Sequence, residues 1–334
     1  MTAGGLSALG EVLPGRRPGF LPGLVAAIAV AVVATPLGRL VPVVGAPVFA
    51  LVLGAALGAA AGDRMRPGAA VVGKYVLQAA IVVLGASLSL SRVVHVGAGS
   101  LPVMLGSLAV ALGVAALAGR LLGVAPRLRT LVGVGTGICG ASAIAAVSGV
   151  VGAAEAEVAY AVSTIFAFNV VAVILFPLLG HLLGLGSHAY ALWAGTAVND
   201  TSSVVAAAYA YGHAAGAYAV IVKLTRTTMI VPIVLVLAAR SARGGSSSVR
   251  RSIPWFLVLF VGAAALNTSG VVGHEAAHAA STAGVALITV ALAGVGLATR
   301  LGEVRRAGVR PLLLGALVWA GVAASSLALV YATR

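Results

Sequence analysis

Charge is what this sequence has least of. Only 8% of its 334 residues are charged and seven are acidic, against about a quarter charged in soluble globular domains. That scarcity excludes a soluble domain. Cysteine is nearly absent too: Cys139 alone excludes an intramolecular disulfide and any cysteine-based metal cage. Its plain reading is a small residue filling a tight helix contact. No glycine-rich nucleotide loop, Ser-His-Asp set or carboxylate pair stands out, so the chain is not expected to be an enzyme or to carry a cofactor. The 21 basic residues give a net charge of +14, which in a soluble protein would suggest nucleic acid. Here they cluster in short links between apolar runs, where the positive-inside rule explains them, and no nucleic-acid partner is expected.

What is present is apolar sequence, 61% of the chain. Eleven hydrophobic segments run over about 20–38, 44–62, 71–90, 99–122, 130–150, 157–180, 188–209, 217–239, 253–268, 279–299 and 311–331, most near the ~20 residues that cross a bilayer. The fold expected is all-α and polytopic: a single membrane domain of about 9–11 spans over residues 1–334, with the lipid bilayer as its first partner. Arg16-Arg17 before the first run resembles a signal-peptide start, but no small-residue cleavage site closes the run, so it reads as an uncleaved span. Arginines crowd the second, fourth, eighth and tenth links: Arg64 and Arg66; Arg120, Arg127 and Arg129; Arg240, Arg243, Arg250 and Arg251; Arg300, Arg305, Arg306 and Arg310. The odd links hold only Arg39 and Arg92. That alternation puts the N-terminus and the even links in the cytoplasm. It holds whether the fifth and seventh segments cross or re-enter. Residues 240–251, with Gly244-Gly245 and four serines, are the most linker-like piece, and Trp255 suits an interfacial anchor.

The organising stretch is Gly195-Thr196-Ala197-Val198-Asn199-Asp200-Thr201-Ser202-Ser203, followed by Lys223 and Arg226. An intramembrane charge costs about 2.5–3.5 kcal/mol on insertion scales, so three of them imply a use. Sixty residues earlier stands an echo, Gly135-Thr136-Gly137-Ile138-Cys139-Gly140-Ala141-Ser142, in which Gly135, Thr136 and Ser142 align with Gly195, Thr196 and Ser202. The pair reads as two interrupted helices facing one site. A second echo joins 85–115 to 294–324: Gly85, Leu88, Gly99, Pro102, Leu105 and Gly106 recur as Gly294, Leu297, Gly308, Pro311, Leu314 and Gly315. An odd number of crossings between the copies makes them inverted. Inverted repeats with broken helices are the construction of secondary transporters.

Lys223 and Arg226, three apart, share a helix face. They can form an anion site, with a guanidinium fork and an ammonium receiving an oxyanion. The structural alternative is snorkelling, or an Arg226–Asp200 pair locking two helices. Restarted helices would add N–H donors, and Thr136, Gly140, Ser142, Thr196, Asn199, Thr201, Ser202 and Ser203 complete the expected binding set with Gly135 and Gly195. Asp200 can be a counter-charge for Arg226, a cation ligand or a proton-carrying carboxyl; the first is preferred. Glu155 and Glu157 read as solvated loop charges. His274-Glu275-Ala276-Ala277-His278 matches the zinc-protease pattern but shows no evident third ligand, with His181, His188 and His213 far along the chain; no metal is expected there.

The stretches Gly135–Ala146 and Gly195–Ala207, Lys223 with Arg226, Ile253-Pro254-Trp255-Phe256, and Gly296-Leu297-Ala298-Thr299 through to Arg310-Pro311-Leu312-Leu313 resemble the YeiH-type bacterial inner-membrane proteins, usually labelled sulfate exporters. The resemblance covers about residues 20–330. It implies a carrier with a mobile core and a static scaffold, exporting sulfate or a sulfonate from the plasma membrane of a bacterium by alternating access, with a small anion as partner and a homodimer left open. Asn199-Asp200 depart from the His-Glu of relatives, which puts a histidine proton relay in doubt. Rival readings are a cation-coupled carrier of another organic anion, an intramembrane metalloprotease and a non-transporting sensor.

The arginine links make a direct topological prediction. Single cysteines at positions 125, 245 and 305 in a Cys139→Ala background should resist membrane-impermeant thiol reagents added to intact cells. Labelling at 245 from outside would overturn the orientation.

Overall fold

Each of the eleven apolar segments becomes one helix or one pair of helices. The structure is a computed structural model describing residues 20–40, 45–61, 65–240, 255–299 and 309–333. Its helices are α1 (Phe20–Leu40), α2 (Gly45–Ala61), α3 (Arg66–Gly85), α4 (Leu90–Leu121), α5 (Pro126–Gly137), α6 (Ala141–Val151), α7 (Glu155–Leu182), α8 (Ser187–Ala197), α9 (Thr201–Tyr211), α10 (His213–Thr228), α11 (Ile230–Arg240), α12 (Trp255–Thr268), α13 (His274–Ala298) and α14 (Val309–Ala332). No strand occurs among the described residues. Among the described residues seven spans are long and apolar enough to cross a membrane: α1, α3, α4, α7, α10 with α11, α13 and α14. The protein is an all-α, multi-pass membrane protein. The linker-like 242–248 and the arginines at 64, 243, 250, 251, 300, 305 and 306 lie outside the described residues.

The chain divides into two compact units, 1–80 with 282–300 and 81–281 with 301–334. In the first, glycines let backbones touch. A Cβ placed on Gly294 would lie 2.8 Å from the Gly73 nitrogen and 3.0 Å from the Ala69 oxygen, and one on Gly54 would meet the Gly296 Cα at 3.2 Å. Such contacts seat the end of α13 against α2 and α3, around Ala27, Val30, Ala50, Val72 and Leu297. Close approach through small residues is the general way membrane helices associate.

The second unit holds both interrupted helices. Here α14 packs along α4, and the order of contacts reverses: Gly106 meets Leu329, Gly321 meets Val114, and Gly119 meets Leu314. The two helices of the second echo are therefore antiparallel, as inverted copies require. The echo is not symmetrical in its ends. Ser89 caps α4, accepting from Arg92 N at 3.3 Å, so α4 starts nine residues before Gly99 and Pro102 falls inside it, whereas Pro311 sits in the first turn of α14. An aromatic seam ties α7, α8 and α14: Phe176 stacks on Trp193 at 4.3 Å, Phe168 on Trp319 at 5.5 Å, and Trp193 Nε1 donates to Ala323 O at 2.9 Å. Segment eight breaks into α10 and α11 at Met229. Pro232 removes an amide donor and its ring crowds the carbonyl of Thr228, four residues back.

These packing glycines can be tested on stability. Gly294→Leu should lower the melting temperature of the detergent-solubilised protein, since overpacking costs roughly 1–3 kcal/mol. Gly262→Leu, whose added Cβ would touch nothing within 4 Å, should melt like wild type. Equal melting of the two variants would contradict the packing described.

Candidate functional site

Two helix breaks meet in the second unit. In the first, α5 stops at Gly137, Ile138 turns out of helical geometry at φ −128°, and Gly140 takes φ +69°. A side chain at that left-handed angle would be strained, so glycine is needed to turn the chain into α6. Gly140 N closes the end of α5 by donating to Gly135 O at 2.8 Å. In the second break, α8 stops at Ala197, Val198 is extended, and Asp200 caps α9. The breaks touch: a Cβ on Gly140 would lie 3.7 Å from the Cα of Asp200.

Helix α10 carries two cations into this junction. Lys223 is fully buried and Arg226 1% exposed. Lys223 Nζ donates to Ile138 O at 2.8 Å and to Val198 O at 2.9 Å, one carbonyl from each break. Arg226 Nε donates to Gly137 O at 2.7 Å. Helix C-termini leave orphan carbonyls and a partial negative charge, and without water a donor must come from a side chain. Arg226 differs from Lys223 in one respect. Its Nη1 and Nη2 are buried with no hydrogen-bond partner, as are both polar atoms of the Asn199 side chain, 1% exposed. Two guanidinium donors and an amide without partners are costly to bury.

The expected residues fall into distinct positions. Asp200 does not hydrogen-bond Arg226, whose free nitrogens have no partner. Its Oδ2 accepts from Ser202 N at 2.9 Å and also from Ser202 Oγ, so the preferred counter-charge role gives way to helix capping. Thr196 Oγ1 turns back to Leu192 O within α8. Ser203 is buried and Thr201 half-buried at the start of α9, and Thr136 is buried in α5, whereas Ser142 is exposed in the first turn of α6. Gly135 and Gly195 precede the breaks instead of making them. A Cβ on Gly135 would crowd Ile144 Cγ1 at 2.9 Å, and one on Gly195 would meet Val222 Cγ1 at 2.8 Å, so both are close-approach positions.

Asn169, in the middle of α7, escaped the sequence reading. Its Oδ1 accepts from Asn199 N at 3.2 Å and Asp200 N at 3.3 Å, holding the second break from outside. The signal was a lone amide in the apolar run Phe166-Ala167-Phe168-Asn169-Val170. The other partners missed, the carbonyls of Gly137, Ile138 and Val198, are main chain and leave no mark on side-chain pattern. His274, Glu275 and His278 lie exposed at the start of α13. Among the described residues no three His, Cys, Asp or Glu side chains gather as a metal site.

The model of the family described as Conserved hypothetical protein 698 matches residues 22–315. The chain belongs to that family. Its matched stretch contains both breaks and α10. A UPF0324 membrane protein of Streptococcus pyogenes serotype M6 is 42% identical over 309 residues, 88% of this chain and 91% of the relative. A UPF0324 membrane protein of Clostridium tetani is 37% identical, covering 86% and 90%. One of Fusobacterium nucleatum is 35% identical, covering 89% and 93%. No solved structure matches. These relatives are named as membrane proteins, which agrees with the seven candidate spans of this Conserved hypothetical protein 698 member.

The junction separates the roles of three charged residues by stability. Lys223→Met should cost about 1–3 kcal/mol for each carbonyl it orphans. Asp200→Asn should change little, since asparagine caps as well as aspartate, and it should fail to rescue Arg226→Met. Melting curves of the single and double variants check this. Rescue of Arg226→Met by Asp200→Asn would establish the ion pair that the geometry lacks.

Proposed function

We propose that this protein is a secondary carrier that exports a small oxyanion, sulfate or a sulfonate, across the bacterial plasma membrane by alternating access, with its N-terminus in the cytoplasm. The observation that carries the reading is the buried guanidinium of Arg226, fixed through Nε and with Nη1 and Nη2 free. A planar two-pronged donor in a dry site suits two oxygens of an oxyanion. Broken helices that meet at a polar junction are also the usual place for a carrier's substrate.

Within this reading Lys223 has a positioning role. Its bonds to Ile138 O and Val198 O hold the two breaks together and leave the anion to Arg226. Asp200 and Asn169 shape the second break, so Asn199 is held at the site's edge. No coupling ion is required for export: at 100 mV each negative charge leaving a negative cytoplasm gains roughly 2.3 kcal/mol.

Counterflow of labelled sulfate and of a labelled sulfonate in proteoliposomes tests the proposal. Wild type should exchange at least one of them. Arg226→Lys should reduce exchange by roughly tenfold or more, because charge is kept and the fork is lost. Arg226→Ala should reduce it further. Wild-type exchange by a folded Arg226→Ala protein would overturn the assignment, and binding without flux would make the protein a sensor instead of a carrier.

A further inference from the structure

The charges at the junction do not cancel, and the remainder has a size. A helix end carries about half an elementary charge, negative at the C-terminus and positive at the N-terminus. Lys223 Nζ bonds carbonyls at the C-terminal ends of both α5 and α8, so roughly one negative unit faces its one positive unit. The Asp200 carboxylate sits on the N-terminus of α9 and is half matched there. Arg226 gives only Nε to a carbonyl. With the N-terminus of α6 at the same junction, what remains is an excess of about one positive charge. A dianion would overshoot it; a monoanion fits.

The second observation is the Asn199 amide, buried with neither its oxygen nor its nitrogen partnered. Whichever way an amide is turned, it offers N–H donors and one carbonyl acceptor. Asn199 follows Val198, whose carbonyl shares Lys223 with Ile138, and Arg226 holds Gly137, the residue before Ile138. Asn199 and Arg226 thus both belong to the junction that Lys223 bridges. The main chain of Asn199 is pinned by Asn169. An oxyanion with acceptors alone satisfies the nitrogens and leaves the amide oxygen unmatched.

We infer that the substrate is a monoanionic oxyanion that carries its own hydroxyl group, its anionic oxygens on Arg226 Nη1 and Nη2 and its O–H donated to the Asn199 amide oxygen. This rests on the oxyanion reading above and narrows it. A fully ionised sulfate, doubly charged and without a donor, is then a poor ligand, and a hydroxyalkyl sulfonate a good one. The selectivity follows from pairing: a buried site built to accept a hydroxyl discriminates against an analogue that lacks one.

Calorimetric titration of the purified full-length protein with sulfate, ethanesulfonate and 2-hydroxyethanesulfonate tests it. The hydroxylated sulfonate should bind roughly tenfold more tightly than either of the others. Asn199→Ala should remove that advantage, bringing the hydroxylated sulfonate to the affinity of ethanesulfonate for the same variant. Sulfate or ethanesulfonate binding as tightly as 2-hydroxyethanesulfonate would overturn this inference and leave the oxyanion carrier standing. Failure of all three to bind would overturn both. The wild-type series decides even if the Asn199 variant does not fold.

Discussion

One ammonium group shared between two main-chain carbonyls is the constraint on which the second unit depends. Lys223 Nζ joins Ile138 O and Val198 O, and each of those carbonyls belongs to a helix that ends inside the fold. Ending a helix away from water leaves carbonyls unpaired at several kcal/mol each. Two such endings side by side would also set two negative dipole ends against each other. A single cation between them removes both costs. It forces the breaks into contact, and that contact places Gly140 beside Asp200.

Everything else at the junction follows in sequence. Gly140 supplies the left-handed turn that starts α6. Asp200 starts α9 by capping it, and Asn169 anchors the amides that neither α8 nor α9 can pair. Arg226, one helical turn beyond Lys223, pairs Nε with the next orphan carbonyl and retains two donors. A lysine at that position would pair the carbonyl as well and offer no planar fork. The division between a cation that joins the two breaks and one that keeps two donors unpaired therefore follows from the choice of Lys at 223 and Arg at 226.

The arrangement of helices was legible because bilayer length and apolar content constrain it so strongly; all eleven segments reappear. Less legible were the places where main chain does the bonding. The glycine echo located both interruptions, yet Gly135 and Gly195 are packing positions, and the turns fall at Ile138–Gly140 and Val198–Asp200. Sequence pattern reports side chains, and the receptors of Lys223 and Arg226 are carbonyl oxygens. The same gap led to Asp200 being assigned to Arg226: two opposite charges in an apolar chain suggest a pair, whereas a free helix N-terminus one residue away is the nearer partner. Asn169 was missed because a single amide in a long span has no periodicity to mark it. The breaks at Met229 and the early start of α4 depend on Pro232 and Ser89 acting locally, which a hydropathy window averages away.

A crystal of the protein grown with a sulfonate, the sulfur located by its anomalous signal, tests the central claim most directly. The account expects the sulfonate oxygens within hydrogen-bond distance of Arg226 Nη1 and Nη2, with Nε still on Gly137 O and Lys223 still bridging Ile138 O and Val198 O. Sulfur placed elsewhere, or Lys223 released from both carbonyls to hold the anion itself, would contradict it.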